Sequence, residues 1–308
     1  MSARKPHRAP TPAMTRLDGL IAAPFTPFDR KGDVSLPVIA QQVRHLLKTG
    51  VRGAYVCGTT GEGISCTVAE RKAILEEWVR RSGGRLVIIA HVGALSVRDA
   101  QELAAHAQAC GADAASIVPP NFFKPASVAG LVAHVAAVAA AAPRLPFYYY
   151  HTMMSGVDLS MPAFLEAAER SIPTLAGVKF NSFNLYEYQN CLRACGGRYD
   201  IVYGVDEVFA GALTLGARAF IGSTYNYAAP LYHAIREAVD AGRLEEARAG
   251  MARVCAIVDL LEQHGGLAAG KAMMGAHGID VGDPRLPLGA LAPARKAALV
   301  RRLREILA

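Results

Sequence analysis

The sequence predicts an α/β protein: one (β/α)8 TIM barrel over residues 17–242, a basic tail over 1–16 before it, and a C-terminal helical bundle over 243–308 after it. Three observations predict this. Short apolar runs recur eight times over about 230 residues, each followed by a stretch with helical periodicity. Runs such as Leu86 to Ala90 do not alternate with polar residues, as strands covered on both faces by helices need not. No low-complexity linker divides the repeat into two doubly wound halves, so a single closed barrel accounts for all eight runs.

The elements follow in order. Leu20–Pro24 is the first strand, and Ser35 with Pro37 opens a helix that Gly50 ends. Gly53–Cys57 is the second; after a loop, the capping box Thr67-Val-Ala-Glu70 opens a helix to Arg81. Leu86–His91 is the third, with Ser96 starting its helix, and Ala114–Val118 the fourth, with an alanine-rich helix over 127–142. Phe147–Tyr150 is the fifth, followed by a helix from Ser160, and Thr174–Asn181 is the sixth, followed by a helix that Asn184 and Glu187 begin. Ile201–Gly204 and Ala219–Gly222 complete the set. The extension reads as helices over 244–263, 271–276 and 293–307.

Composition narrows the function classes. No apolar run approaches the roughly 20 residues that span a bilayer, and Met1 to Arg16 lacks the apolar core of an export signal. A cytoplasmic protein that engages no membrane is expected. The formal charge is +7, but Arg4, Lys5, Arg8 and Arg16 stand in the tail without an acid, and residues 285–308 carry six bases against Glu305. The body between these ends is close to neutral, which argues against a nucleic-acid surface. The six cysteines form no C-x-x-C pair and read as buried reduced thiols, so neither zinc nor another metal is expected.

In such barrels the site is built from the loops after the strands. The sixth strand carries Lys179 between Val178 and Phe180, the one lysine of eight with apolar neighbours on both sides inside a strand-like run. A buried ammonium is costly to desolvate, so Lys179 snorkels to water, pairs with an acid, or sheds its proton and acts as a nucleophile. Gly58-Thr59-Thr60-Gly61-Glu62 after the second strand is either a tight polar turn or a cradle of N–H and hydroxyl groups for a carboxylate. Tyr150 ends the fifth strand, as core packing or as a phenol at the mouth. Gly204-Val-Asp206-Glu207 is either a helix start or an acidic pair, and Gly222-Ser223-Thr-Tyr-Asn226 either plain loop or a polar cluster. All five fall at one end of the barrel.

Gly58-Thr-Thr-Gly-Glu62, Tyr150, Gly177-Val-Lys179 and Gly222-Ser223, in this order and spacing, resemble the pyruvate-dependent class I aldolase superfamily that includes dihydrodipicolinate synthase and N-acetylneuraminate lyase. Within it, Phe147–His151, Val178-Lys-Phe180, Tyr203–Glu207 and Gly222–Tyr227 are similar to the animal-type N-acetylneuraminate lyases. The similarity runs over about residues 18–260. It implies that Lys179 forms a Schiff base with a keto acid, that Thr59 and Thr60 grip the carboxylate, and that Tyr150 shuttles a proton. Gly204, Asp206, Glu207 and Ser223 would meet the hydroxylated part of the substrate, with Asn181 on the same side. The partners implied are pyruvate and a sialic acid or related 2-keto sugar acid, with no cofactor, in a homotetramer.

The chain also departs from both patterns. Dihydrodipicolinate synthases usually carry a tyrosine after the fourth strand and an arginine after the fifth, where this chain has Pro119-Pro-Asn-Phe-Phe-Lys124 and Tyr150-His-Thr-Met-Met-Ser-Gly156. The lyases usually have a proline soon after the tyrosine and a serine or threonine two residues after the lysine. Here the loop is one residue shorter, with Met153 and Met154, and Asn181 takes the second place. A sister aldolase or dehydratase for another 2-keto-3-deoxy sugar acid is the competing reading, and a non-catalytic sugar-acid-binding barrel a remoter one.

Overall fold

A computed structural model of the chain describes residues 16–308, so the tail expected over 1–16 lies outside them except for Arg16. Eight parallel strands close into a barrel in chain order, the eighth bonding to the first. They are β1 (Gly19–Ala22), β2 (Gly53–Val56), β3 (Val87–His91), β4 (Ala114–Ile117), β5 (Phe147–Thr152), β6 (Leu175–Asn181), β7 (Asp200–Tyr203) and β8 (Ala219–Gly222). Every expected strand forms, with ends shifted by a residue or two. Fraying at element ends accounts for that scatter.

The barrel helices are α1 (Leu36–Lys48), α2 (Val68–Ser82), α3 (Val97–Cys110), α4 (Val128–Ala139), α5 (Met161–Ala168), α6 (Leu185–Arg193), α7 (Phe209–Thr214) and α8 (Tyr225–Asp240). Their starts are set locally by side chains that satisfy the first free N–H groups. Thr67 and Glu70 exchange both bonds of a capping box at 3.2 and 2.8 Å, and Ser96, Ser127, Ser160 and Asn184 each accept the amide three residues on. Ser35 differs from its reading as a side-chain cap. Its hydroxyl caps nothing; its carbonyl accepts the Val38 N–H at 3.2 Å and Pro37 sets the first turn.

Beyond the barrel come α9 (Leu244–Gln263), α10 (Leu267–Met273) and α11 (Pro293–Leu307). α9 packs on α8, and α11 packs on α9 and α10. The middle helix starts four residues before the expected Lys271. Gly265 and Gly266 precede it with positive φ, and burial of Ala268, Ala269 and Met273 carries the helix through Gly270 against that residue's low propensity.

Alternation along the strands splits the core into two layers. One lies between sheet and helices and includes Val56, Ile88, Val178 and Phe180. The other fills the barrel interior with Ile21, Tyr55, Ile89, Tyr148, Tyr150, Val202 and Ile221. At the bottom, the Tyr148 hydroxyl donates to Asp200 Oδ2 at 2.9 Å, and the same oxygen accepts the Leu17 N–H at 3.0 Å. The floor is therefore closed, and free chemistry is left to the other end.

Candidate active site

Lys179 lies on β6 between two residues of the outer layer, so its own side chain turns inward. It does not reach out to water: the residue is 5% exposed. Its Nζ stands 3.9 Å from the centre of the Tyr150 ring and 4.4 Å from that of Tyr55. Three lysines of the described residues make ion pairs, Lys72, Lys271 and Lys296, and Lys179 is not among them. The apolar neighbours that single it out in the sequence thus face the other side of the sheet. Its real surroundings are two aromatic faces, which attract a cationic nitrogen.

Tyr150 arrives beside it by strand pairing. β5 and β6 run in register with Tyr150 opposite Lys179 and Thr152 opposite Asn181, after an irregularity between Phe147 and Tyr148 that gives β6 one extra residue. Asn181 Nδ2 faces Thr152 Oγ1 at 3.5 Å. Gly204, which follows β7, borders both groups: a Cβ there would lie 2.9 Å from Asn181 Oδ1 and 3.3 Å from Lys179 Cε, so a larger residue would push into the amine.

The glycine-threonine turn meets the amine through Tyr55. A Cβ on Gly58 would lie 2.6 Å from the Tyr55 ring, whose face Lys179 approaches. The Glu62 and Gly63 amides close the turn onto the Thr59 and Gly58 carbonyls at 3.0 and 3.1 Å. Those bonds leave the Thr59, Thr60 and Gly61 N–H groups uncommitted, and Thr59 is exposed while Thr60 is half-buried. Such a turn can hold a small anion.

The remaining acidic candidates sit deeper than a sugar-facing role alone requires. Asp206 is buried, and its Oδ2 accepts the Thr224 N–H at 3.1 Å and the Thr224 hydroxyl at 2.7 Å. Its Oδ1 has no partner and presses on Gly222, where a Cβ would lie only 1.8 Å away. Burial pushes the Asp206 carboxyl up, against the Thr224 bonds and the nearby Lys179 charge. Glu207 is half-buried and also raised, by burial first and then by Asp206 and Glu262. Ser223 is half-buried, its carbonyl holding Asn226.

Sequence reasoning passed over two residues of this wall. The Tyr55 hydroxyl donates to Ser116 Oγ at 2.9 Å, and burial holds its phenol well above the ordinary value. His91, buried at the end of β3, bonds Cys57 O through Nδ1 at 3.0 Å, and its Nε2 has no partner. Burial, with Arg71 and Lys179 nearby, drives its pKa down to about 3, so the ring is neutral. Period-2 alternation in Gly53–Val56 was the available signal for Tyr55. Among the described residues no group of three His, Cys, Asp or Glu side chains is placed to hold a metal ion.

A model of the dihydrodipicolinate synthetase family matches residues 16–306. The chain belongs to that family. Within the dihydrodipicolinate synthetase family it is similar to the N-acetylneuraminate lyase of Xenopus tropicalis, at 45% identity over 89% of this chain and 91% of that protein. Among solved structures it resembles an N-acetylneuraminate lyase of Proteus mirabilis, with a TM-score of 0.94 at 50% identity, covering 95% of this chain and 99% of that one. An N-acetylneuraminate lyase (sialic acid aldolase) of Aliivibrio salmonicida gives the same score and identity, covering 95% and 98%. This chain's closed barrel, with helices added after the eighth strand, is the architecture expected from the sequence.

Proposed function

We propose that this chain is a carbon–carbon lyase that reversibly cleaves N-acetylneuraminate to N-acetylmannosamine and pyruvate, with Lys179 as the Schiff-base nucleophile. The observation that carries the reading is a buried amine without an acidic partner, seated between the Tyr55 and Tyr150 rings in a chain 45% identical to such a lyase.

The amine adds to the C2 ketone of the open-chain sugar acid and expels water to give an imine. Once protonated, the imine nitrogen is cationic, and two ring faces within 4.4 Å stabilise it by about 0.5–2 kcal/mol each. The C3–C4 bond then breaks as the C4 hydroxyl loses its proton, and the electron pair is held as an enamine. Tyr150 relays that proton, its phenol passing one on to the substrate carboxylate as it takes one from the C4 oxygen, and the relay runs backwards in the reverse direction. Protonation at C3 and hydrolysis release pyruvate and restore the amine. Thr59, Thr60 and the turn's free N–H groups grip the carboxylate throughout. Asn181, Gly204, Asp206, Glu207 and Ser223 line the side on which the polyol lies, where the acids accept its hydroxyl hydrogens.

Pyruvate with sodium borohydride is expected to leave a reduced adduct on Lys179, read by peptide mass mapping. An unmodified Lys179 ends the mechanism. The reading with another 2-keto-3-deoxy sugar acid rests on the Met153–Ser155 turn after β5, where Met153 and Met154 are exposed, and on Asn181 opposite Thr152. Faster turnover of 2-keto-3-deoxygluconate than of N-acetylneuraminate would replace the substrate and keep the chemistry. The same proposal includes a cytoplasmic homotetramer. Apolar side chains exposed on the strand-end loops, among them Ile64, Leu95, Phe122 and Phe123, offer surface for such contacts. Light scattering that gives other than four chains per particle removes that part.

A further inference from the structure

The turn that offers Thr59 and Thr60 is strained and is held from outside the barrel. Cys57 and Glu62, at its two ends, both have positive φ, 59° and 51°, although neither is glycine. Such conformations cost on the order of 1–3 kcal/mol each and persist only where neighbours over-determine them. Cys57 is held within the barrel, where its carbonyl bonds His91 Nδ1, whereas the neighbours of Glu62 belong to the C-terminal extension. Lys271 on α10 donates to Glu62 Oε1 at 2.7 Å and to the Asp283 carbonyl at 3.1 Å, and the Arg285 N–H donates to Glu62 Oε2 at 2.9 Å. The two charged side chains of this pair are 1% and 2% exposed.

Arg285 extends the grip to the next helix. Its guanidinium bonds Glu70, the capping-box residue of α2, and the Ser65 and Gly32 carbonyls. Lys271 and Arg285 both lie over the Phe28 ring, at 4.2 and 4.4 Å. Glu62 therefore does not face the cavity. It is the tether by which the extension pulls on the turn. A buried ion pair adds little net stability over an apolar pair of similar volume, but it fixes position through hydrogen bonds that an apolar pair lacks.

We propose that Glu62 and Lys271 are positioning residues for the carboxylate subsite: the buried pair sets the height and tilt of the Thr59–Gly61 turn, and with it the capture of the keto acid by Lys179. This rests on the Schiff-base reading. It makes the α10 segment part of the substrate-binding apparatus without contact to substrate. Tether length matters in this arrangement more than charge.

The test is the pyruvate concentration that half-saturates borohydride labelling of Lys179, measured with thermal midpoint and kcat for the wild type, Glu62→Gln, Glu62→Asp and Lys271→Met. Glu62→Gln keeps the side chain's length but offers one acceptor oxygen to two donors, Lys271 Nζ and the Arg285 N–H, so it is expected to lower the midpoint and to raise half-saturating pyruvate less than Glu62→Asp does. Glu62→Asp keeps the charge and shortens the tether. It is expected to raise half-saturating pyruvate about tenfold, with kcat at saturation changed far less. Lys271→Met is expected to follow the Asp variant. Assays run below each midpoint, so that the folded fraction does not enter; if Lys271→Met does not fold, the Gln and Asp variants decide. The proposal is overturned if Glu62→Asp labels with wild-type half-saturation, or if half-saturation simply tracks the midpoint across the series. A wild type that does not label sinks the Schiff-base reading instead, which separates the two failures.

Discussion

Two lysines of this molecule are buried to nearly the same extent, and they have opposite surroundings. Lys179 is 5% exposed and Lys271 3%, and each nitrogen lies about 4 Å from an aromatic ring, Tyr150 in one case and Phe28 in the other. Lys271 has a carboxylate at 2.7 Å and a carbonyl at 3.1 Å. Lys179 has two ring faces and no ion pair. Burial lowers the Lys271 ammonium from its ordinary value, with Glu62 opposing the shift. Depth therefore does not distinguish the paired amine of Lys271 from the unpaired one of Lys179, the nucleophile proposed above. The acceptors around the nitrogen do, because a carboxylate and a carbonyl favour the ammonium, whose lone pair is bound to a proton and cannot attack a ketone.

Exchange of each lysine for methionine tests that contrast most strongly. Lys179→Met should abolish turnover, by more than about a thousandfold, while changing unfolding free energy by less than about 1 kcal/mol. Lys271→Met should keep measurable turnover and lose about 3–5 kcal/mol, because Glu62 is left buried and unpaired. Urea denaturation and steady-state rates on both variants check this. If Lys179→Met is the less stable of the two, the contrast is void.

Tyr150→Phe sharpens the comparison within the site. It keeps the ring face over Lys179 and removes the phenol, so borohydride trapping of pyruvate should persist while cleavage falls about 100- to 10,000-fold. Equal loss of trapping and cleavage would assign Tyr150 to imine formation instead.

The smallest effect concerns stability against pH. His91 and His45 carry ordinary values of 6.5 but are held near 3 and 4 in the fold, chiefly by burial. Below pH 6.5 the unfolded chain therefore binds protons that the folded chain refuses, and stability falls until pH passes the folded values. For His91 each pH unit in that window costs about 1.4 kcal/mol. Asp206, raised by burial, acts in the opposite sense at lower pH. Melting curves between pH 7 and 4.5 should show a shallower decline for His91→Gln than for the wild type; parallel curves would count against the assignment.

How much of this was legible in the sequence follows from the range of the interactions. Strand positions and most helix starts are local, and Thr67, Ser96 and Asn184 announce them within four residues. The Tyr150–Lys179 pairing was nearly legible, since both lie near the ends of adjacent strands of a parallel barrel, each two residues before its strand's last. The Glu62–Lys271 pair was not: it joins residues 209 apart, and Glu62 reads in its motif as one more polar group of the turn. The early start of α10 was hidden by Gly270, whose low helix propensity tertiary packing outweighs. Tyr55 and His91 were hidden because an aromatic or a histidine in a strand usually belongs to the core, and here the core is the wall of the site. The cysteines were read as buried thiols; all six are free, but only Cys57, Cys66 and Cys191 are buried, while Cys110 and Cys195 are half-buried and Cys255 is exposed on α9.

The alternation of Val178, Lys179 and Phe180 has a consequence for how the strand finds its place. A slip of one residue would carry the ammonium into the dry space beneath the helices and leave two apolar groups at the open mouth. Desolvating a lone cation there costs several kcal/mol, more than most single errors in strand pairing. The polar nitrogen on which the proposed chemistry depends thereby also disfavours the misaligned chain before any substrate arrives.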